Sequence, residues 1–485
     1  MAVFDQISAY GDRLAIICEN SKSFNYNDLS RDADLIHKKI GAGKLVIIIA
    51  SNCYASIAGY VGCLRGGAVP LLLPITTGKN ELSQIVSTYQ PDFIYMPYAK
   101  TEQLGVGVTV ARLENYGLFS SAEPKLGRPA PPLHNDLALL LTTSGSTGSR
   151  SMVRLSEANI SSNTAQIIEY MGITSDDVAI TTMPMSYSYG LSVLNTHLVQ
   201  GATIIATEEP LMSREFWNLM RDKSVTHLAG VPFIYEMLKK LRFNKMDLPA
   251  LRILTQAGGK LSEDLVKYFY EACQSLDASF YVMYGQTEAT ARMTYMPSAD
   301  LVKRPNSIGK PVPNSEIWLD NDAIPNATGQ NDTCDSGELV FKGPNVSLGM
   351  AENRADLAKG DENNGVLYTG DLVTRDKEGF LTVTGRKKRF LKLYGNRINL
   401  AELEEMLTSE HSTVACAGTD DNLRIFLEAS DAEHISVATT AIKSDLANQT
   451  TILPRAYTVV PITKLPRGDN GKISYHLLNT QFAAG

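Results

Sequence analysis

The chain has 485 residues, enough for about three structural units at roughly 150 residues each. Hydrophobic residues make up 44% and charged residues 20%, an ordinary globular balance that excludes disorder, collagen and coiled coil. The net charge of −7 argues against a protein built to coat nucleic acid. The six cysteines are scattered with no CxxC pair, so reduced thiols in a cytoplasmic enzyme are expected rather than a disulfide framework or zinc ribbon. No basic-then-apolar leader is seen at the N-terminus. The most apolar stretch, from Leu45, is broken by Ser51, Asn52 and Ser56. It reads as strand then helix, not as a membrane span.

The segment from Lys44 to Pro74 sets the pattern. LVIIIA is rich in β-branched residues and suits a strand buried on both faces. Asn52 is positioned to cap a helix that Gly66 and Gly67 end, and AVPLLLP gives a second strand, completing a right-handed βαβ unit. The alternation recurs: DVAITTMP, a helix ending near Gln200, GATIIAT, SREFWNLMRDKSV, THLAGVP, FIYEMLKKL, LRILTQAG, EDLVKYFYEACQ and SFYVMYG. It predicts an α/β fold of stacked, mainly parallel sheets. After about Pro297, the short strands SEIWLD, GELVFKG and GFLTVTG suggest a small β-rich subdomain. From Lys387 onward RFLKLY, RIFLEAS and AYTVVPI read as strands, and NLAELEEMLTSE and the stretch from Ala432 to Asn448 as helices. Two domains are expected: 1–386, and a small α+β domain over 387–485 with a hinge of very few residues.

Four motifs carry chemistry. LLTTSGSTGSRSMVR surrounds Gly145 and Gly148 with hydroxyls after a strand. It is either a surface turn or a phosphate-binding loop, since glycines allow close approach and N–H groups bind phosphate oxygens; it lacks the GK[ST] of a Walker A loop. YGQTE follows the strand SFYVM, at the strand end where α/β sheets bind ligands. Thr287 suits a phosphate and Glu288 suits Mg²⁺, against a plain capped helix start. In YTGDL, Asp371 is able to accept from two vicinal ribose hydroxyls. The following TGRKKRFLKLYGNRI carries six basic residues, among them Arg386 and Arg397, whose rigid forks match phosphate; a strand edge blunted by lysines is the alternative. LPRGDNGKI places Lys472 on a Gly-rich turn, where it is either an exposed hairpin lysine or a group reaching into a cleft.

In this order and at these separations, the four motifs resemble the adenylate-forming superfamily of acyl-CoA synthetases, adenylation domains and luciferases, over nearly the whole chain. The resemblance implies that Thr143, Ser144, Gly145, Ser146, Thr147 and Gly148 form a mobile phosphate-binding loop. Gly258 and Gly259 would flank the adenine, with Tyr284 and Gly285 against it. Thr287 would contact the α-phosphate and Glu288 the Mg²⁺. Asp371 and Arg386 would hold the ribose, with Arg397 also on the nucleotide. Lys472 would bridge the substrate carboxylate and the α-phosphate, and Lys388 would be the hinge. After rotation of the C-terminal domain, Gly395 would lie beside the pantetheine arm and Lys392 would enter the active site.

Two departures stand out. Ser151 sits where many members carry a lysine after the glycine-rich loop, and Arg150 or Arg154 is a candidate replacement. Lys388 and Arg389 replace a common acidic pair, which makes the hinge unusually basic. In MPMSYSYGLSVL, Tyr187 occupies a gating position of the acyl pocket, with Ser188 and Gly190 beside it and Tyr189 expected in the core. Amino-acid-activating members usually place an Asp here, and none occurs between Thr181 and Gln200. The expectation is therefore ATP- and Mg²⁺-dependent activation of an aryl or aliphatic carboxylic acid, followed by transfer to the pantetheine thiol of CoA. One alternative acceptor is the 4′-phosphopantetheine of an acyl carrier protein acting in trans, since too few residues follow Lys472 for a carrier domain. A non-catalytic nucleotide- or acyl-binding relative is the other reading. Neither a nucleic-acid partner nor a membrane span is expected.

Overall fold

A computed structural model of the chain describes residues 3–101, 109–121, 131–142, 151–320, 335–387, 390–393, 396–408, 413–419, 422–450, 452–468, 473–475, 477 and 478. These residues fall into two compact units. The larger runs to Glu316 and resumes at Phe341–Leu367; the smaller takes the remainder, including Tyr368 onward.

The larger unit holds two sheets. In the first, the strand order is Lys310–Pro311, Thr294–Met296, Ser279–Tyr284, Ile253–Gln256, His227–Gly230, Val178–Ile180, Thr203–Ala206, Leu14–Cys18 and Ser23–Asn25. The six strands from Ser279–Tyr284 to Leu14–Cys18 are parallel, and antiparallel partners close both edges. In the second, the order is Gly349–Ala351, Met152–Ser156, Leu137–Thr142, Val69–Pro74, Leu45–Ala50, Phe93–Pro97, Tyr116–Ser120 and Thr109–Leu113. Its middle four strands are parallel. The predicted α/β class and each strand and helix of the alternating run are present.

The strand Leu45–Ala50 is buried along its whole length. Val46 and Ile48 enter a core that also contains Ile16 and Ile204 of the first sheet and helix residues Leu29, Ile57 and Leu198. Leu45, Ile47 and Ile49 point the other way, onto Leu82, Ile85 and Tyr89 of the helix Lys79–Tyr89. Helices thus lie between the two sheets, and a further helix covers the outer face of the second, which is why this strand is apolar at every position.

The expected Asn52 cap is not formed. Cys53 is the N-cap of the helix Tyr54–Arg65 and makes no side-chain cap bond. Asn52 is buried instead. Its Nδ2 donates to the Met183 carbonyl at 3.1 Å, and its Oδ1 accepts from the Met185 amide at 3.0 Å. A buried amide that completes two backbone bonds of a distant turn gains more than one that caps a helix already shielded by packing.

The smaller unit holds the β-rich piece foreseen from the sequence, strands Glu316–Asp320, Asp335–Lys342, Val366–Arg375 and Leu381–Arg386 in that order, whose first strands straddle the unit boundary. Beyond it come the hairpin Phe390–Leu393 with Asn396–Asn399, the sheet Thr413–Thr419, Asn422–Glu428 and Tyr457–Ile462, and helices Leu400–Leu407 and Ala432–Gln449. Leu391, Leu403, Ile425, Ile442 and Leu446 form its own core. No described helix is long and apolar enough to cross a membrane.

Candidate active site

The parallel strands of the first sheet end on one edge, and the turns that follow them carry the larger unit's candidate residues. The strand Ser279–Tyr284 runs into the short 3-10 turn Thr287–Ala289. Gly285 is required there: a Cβ would lie 1.9 Å from the Ala291 carbonyl oxygen. Asn345 fixes the turn from outside, donating through Nδ2 to the carbonyls of Ala289 and Arg292 at 3.0 and 3.1 Å. The Ser347 amide donates to the Glu288 carbonyl at 2.8 Å, and Gln286 Nε2 donates to the Tyr284 hydroxyl at 3.2 Å. The half-buried Glu288 carboxylate has no hydrogen-bond or ion-pair partner among the described residues. A carboxylate left in this condition fits an ion whose other ligands are phosphate oxygens and water, the usual environment of Mg²⁺.

Gly258 and Gly259 follow the strand Ile253–Gln256. The buried Gln256 holds that turn by donating through Nε2 to the Gly259 carbonyl at 2.8 Å. The third turn, residues 181–187, is the one that Asn52 clamps, and it leads into the helix Ser188–Val199 with Tyr187 as its N-cap. Gly190 is explained by close approach, because a Cβ would sit 2.4 Å from the Pro184 carbonyl oxygen. Ser188 Oγ lies 3.3 Å from Thr287 Oγ1, so the acyl-pocket candidate and the phosphate candidate meet.

Burial pushes the Tyr187 hydroxyl up to about 12, leaving a neutral donor at physiological pH. Tyr189 is core, as expected: its hydroxyl donates to the Thr255 carbonyl at 2.8 Å. Ser188 and Thr290 line a small, mostly apolar cavity with Leu139, Leu141 and Leu191. Tyr187→Ala is expected to change the rank order of accepted acids while leaving the KM for ATP within about threefold, as fits loss of pocket shape rather than of phosphate contacts. Parallel acid and ATP titrations check this.

In the smaller unit, Asp371 and Arg386 are opposed in register on antiparallel strands. Arg386 Nε donates to Asp371 Oδ1 at 2.8 Å; Asp371 is 3% exposed and Arg386 57%. The pair presents a fixed carboxylate edged by a solvent-facing fork. Glu338, only 4% exposed, had no sequence signal. Its Oε1 accepts from the Gly370 amide at 3.0 Å and its Oε2 from Lys387 Nζ at 2.7 Å, tying the strand that bears Asp371 to the start of the basic stretch. The backbones of Lys392 and Arg397 are paired in register on the following hairpin.

Arg154 is not available to phosphate. It is fully buried and donates to the carbonyls of Met350, Lys359, Gly360 and Leu348 at 3.2, 2.6, 3.1 and 2.9 Å, with Glu362 as its ion-pair partner. Residues 143–148, Arg150, Lys388, Gly395 and Lys472 lie outside the described residues; Arg467 and Ile473, on either side of Lys472, form an antiparallel bridge.

This architecture is that of adenylate-forming enzymes. The o-succinylbenzoate CoA synthetase of Bacillus subtilis, solved with its acyl-adenylate, matches with a TM-score of 0.76 at 20% identity, covering 98% of this chain and 97% of that one. The same enzyme matches in its complex with ATP and magnesium ion, with a TM-score of 0.76. ATP-bound MatB of Rhodopseudomonas palustris matches with a TM-score of 0.75 at 20% identity, covering 100% and 99% of the two chains. The family model for AMP-binding enzymes matches residues 3–350. A 2-succinylbenzoate–CoA ligase of Bacillus cereus (strain ATCC 14579) is 30% identical over 421 residues, 84% of this chain and 82% of the relative. The chain belongs to the AMP-binding enzyme family.

Proposed function

We propose that this protein is a cytoplasmic, AMP-forming acid–CoA ligase. The observation that carries the reading is the pairing of family membership with a Glu288 carboxylate that has no partner among the described residues, beside Thr287, whose hydroxyl lies 3.3 Å from Ser188 Oγ.

In the first half-reaction the substrate carboxylate attacks the α-phosphorus of ATP, an O–P bond forms, and pyrophosphate leaves. Both reactants are anions, so alignment and charge neutralisation dominate over acid–base chemistry. Thr287 orients the α-phosphate, Asp371 and Arg386 hold the ribose, and Lys472 neutralises the developing charge. Mg²⁺, held by Glu288, supplies further neutralisation of the triphosphate when bound. In the second half-reaction a thiolate attacks the acyl carbon and AMP leaves. Lys472 must withdraw to admit the thiol, so we place a domain boundary at residue 387 and a rotation about Lys388, which brings Gly395 and Lys392 to the acyl-adenylate.

CoA is preferred as acceptor over a carrier protein because the 30%-identical relative is named as a CoA ligase. Incubation of the enzyme, ATP, Mg²⁺ and an accepted acid with free CoA is expected to give acyl-CoA and AMP in equal amounts. Turnover confined to carrier proteins bearing 4′-phosphopantetheine would reassign the acceptor.

A further inference from the structure

The turn that carries Thr287 and Glu288 ends in a backbone outlier. Thr290 has φ 67° and ψ −63°, and the Ala291 amide donates across it to the Ala289 carbonyl at 2.8 Å. This is a three-residue γ-turn in its rare, strained form. Threonine is a poor residue for it, because a β-branched side chain crowds the backbone at positive φ. Among the described residues with φ in this range, Thr290 is the one that is β-branched. The turn folds the chain back until the Ala291 carbonyl packs against Gly285, the approach that leaves no room for a Cβ there.

Such a conformation persists only where its surroundings hold it. Residues 345–347 are the holder. Thr290 Oγ1 donates to the Asn345 carbonyl at 2.7 Å. The Asn345 side chain brackets the outlier, donating to the Ala289 carbonyl before it and the Arg292 carbonyl after it, while the Ser347 amide reaches the Glu288 carbonyl. Asn345 is fully buried, and its Oδ1 has no hydrogen-bond partner. A buried acceptor left unpaired is itself costly, so the fold bears two local penalties at one point. The helix Glu157–Met171 anchors both segments. Asn159 donates to the carbonyls of Pro344 and Val346 at 2.8 and 2.7 Å, on either side of Asn345. Asn163, about one turn farther along, donates to the Arg292 carbonyl at 2.9 Å and accepts from the Arg292 amide at 3.2 Å. The nearest functional group to the outlier is Glu288, two residues before it.

We infer that Thr290 and Asn345 are positioning residues for Mg²⁺: the strained turn, latched to Asn345, fixes the backbone of Glu288 so that its carboxylate is held ready for the ion. This rests on the reading above that Glu288 holds Mg²⁺. Mg²⁺ accepts little departure from octahedral geometry, so a ligand on a rigid, overdetermined turn serves it better than one on a relaxed loop. Neither Thr290 nor Asn345 touches the ion; both act through Glu288.

The test measures ATP binding by isothermal titration calorimetry, with Mg²⁺ and with EDTA. The unaltered protein is expected to bind ATP more tightly with Mg²⁺. Thr290→Val keeps the shape and the strain but removes the latch. It should lose about 10- to 100-fold of the affinity measured with Mg²⁺, the scale for a residue that orients a metal ligand, and less than about threefold with EDTA. Asn345→Leu should behave in the same way, and Thr290→Ser, which keeps the hydroxyl, should recover most of the loss. Thr290→Gly adopts positive φ without strain; it keeps the test decisive if the valine variant does not fold, and it too should lose the Mg²⁺ advantage. In Glu288→Gln the advantage should be gone, and adding Thr290→Val should remove nothing more. Parent-like Mg²⁺ dependence in the folded latch variants, no recovery in Thr290→Ser, or equal losses with Mg²⁺ and with EDTA overturns the inference. So does ATP binding by the unaltered protein that gains nothing from Mg²⁺. Absence of ATP binding by the unaltered protein sinks the ligase reading instead, and this inference with it.

Discussion

Replacing Lys472 with alanine is expected to slow acyl-adenylate formation by about 100- to 1,000-fold, the range for removing one preorganised group from developing transition-state charge. Thioester formation from a supplied acyl-adenylate and CoA should stay close to the parent rate. The asymmetry follows from charge. In the first step two anions must meet, and Lys472 is the cation on the C-terminal domain assigned to them. In the second step the phosphate is already esterified, and the same lysine would obstruct the incoming thiol. Stopped-flow or quenched-flow measurement of each half-reaction separates the two. Equal losses in both would mean that Lys472 stays at the active site throughout, and the rotating-domain account would be wrong.

The largest effect on stability is expected at Arg154. Methionine there fills much of the volume but takes the guanidinium away from the carbonyls of Met350, Lys359, Gly360 and Leu348, of which Leu348 keeps the Glu362 amide as a donor, and leaves the Glu362 side chain without its ion-pair partner. Glu362 is 48% exposed and water replaces the guanidinium around it, so most of the penalty falls on the buried carbonyls. A buried acceptor left without a donor costs about 1–3 kcal/mol, so the loss expected from these carbonyls together is about 3–5 kcal/mol. Urea denaturation of the larger unit should show a loss of that size for Arg154→Met. A loss under about 1 kcal/mol, with exchange activity falling instead, would return Arg154 to the list of phosphate-binding candidates.

The fold was largely legible because local signals agreed with the tertiary structure. Leu45–Ala50 read as doubly buried from its β-branched run, and the strand–helix alternation from residue 178 to 284 announced a parallel sheet. The motif positions were legible for a similar reason: Gly285 and Thr287 follow a strand directly, so sequence alone puts them at the ligand-binding edge. The residues that hold those motifs were not legible. Asn52 acts on a turn 131 and 133 residues away. Asn345 acts 53 and 56 residues away. Glu338 reaches Gly370 and Lys387 across separations of 32 and 49. Each is a polar residue whose local pattern suggests a cap, a turn or a solvated strand, and burial alone gives it a role. Arg154 is the clearest instance. One arginine near a phosphate loop invites a ligand reading, but its neighbours in space are carbonyls from residues 348–360.

The central claim is that this protein activates a carboxylic acid by adenylation. Carboxylate-dependent exchange of labelled pyrophosphate into ATP, in the presence of Mg²⁺ and across a broad panel of mono- and dicarboxylic acids, tests it most directly. The account predicts exchange that requires an acid, is lost when Mg²⁺ is chelated, and proceeds without CoA. Folded protein that binds ATP yet shows no exchange with any acid on the panel would contradict it.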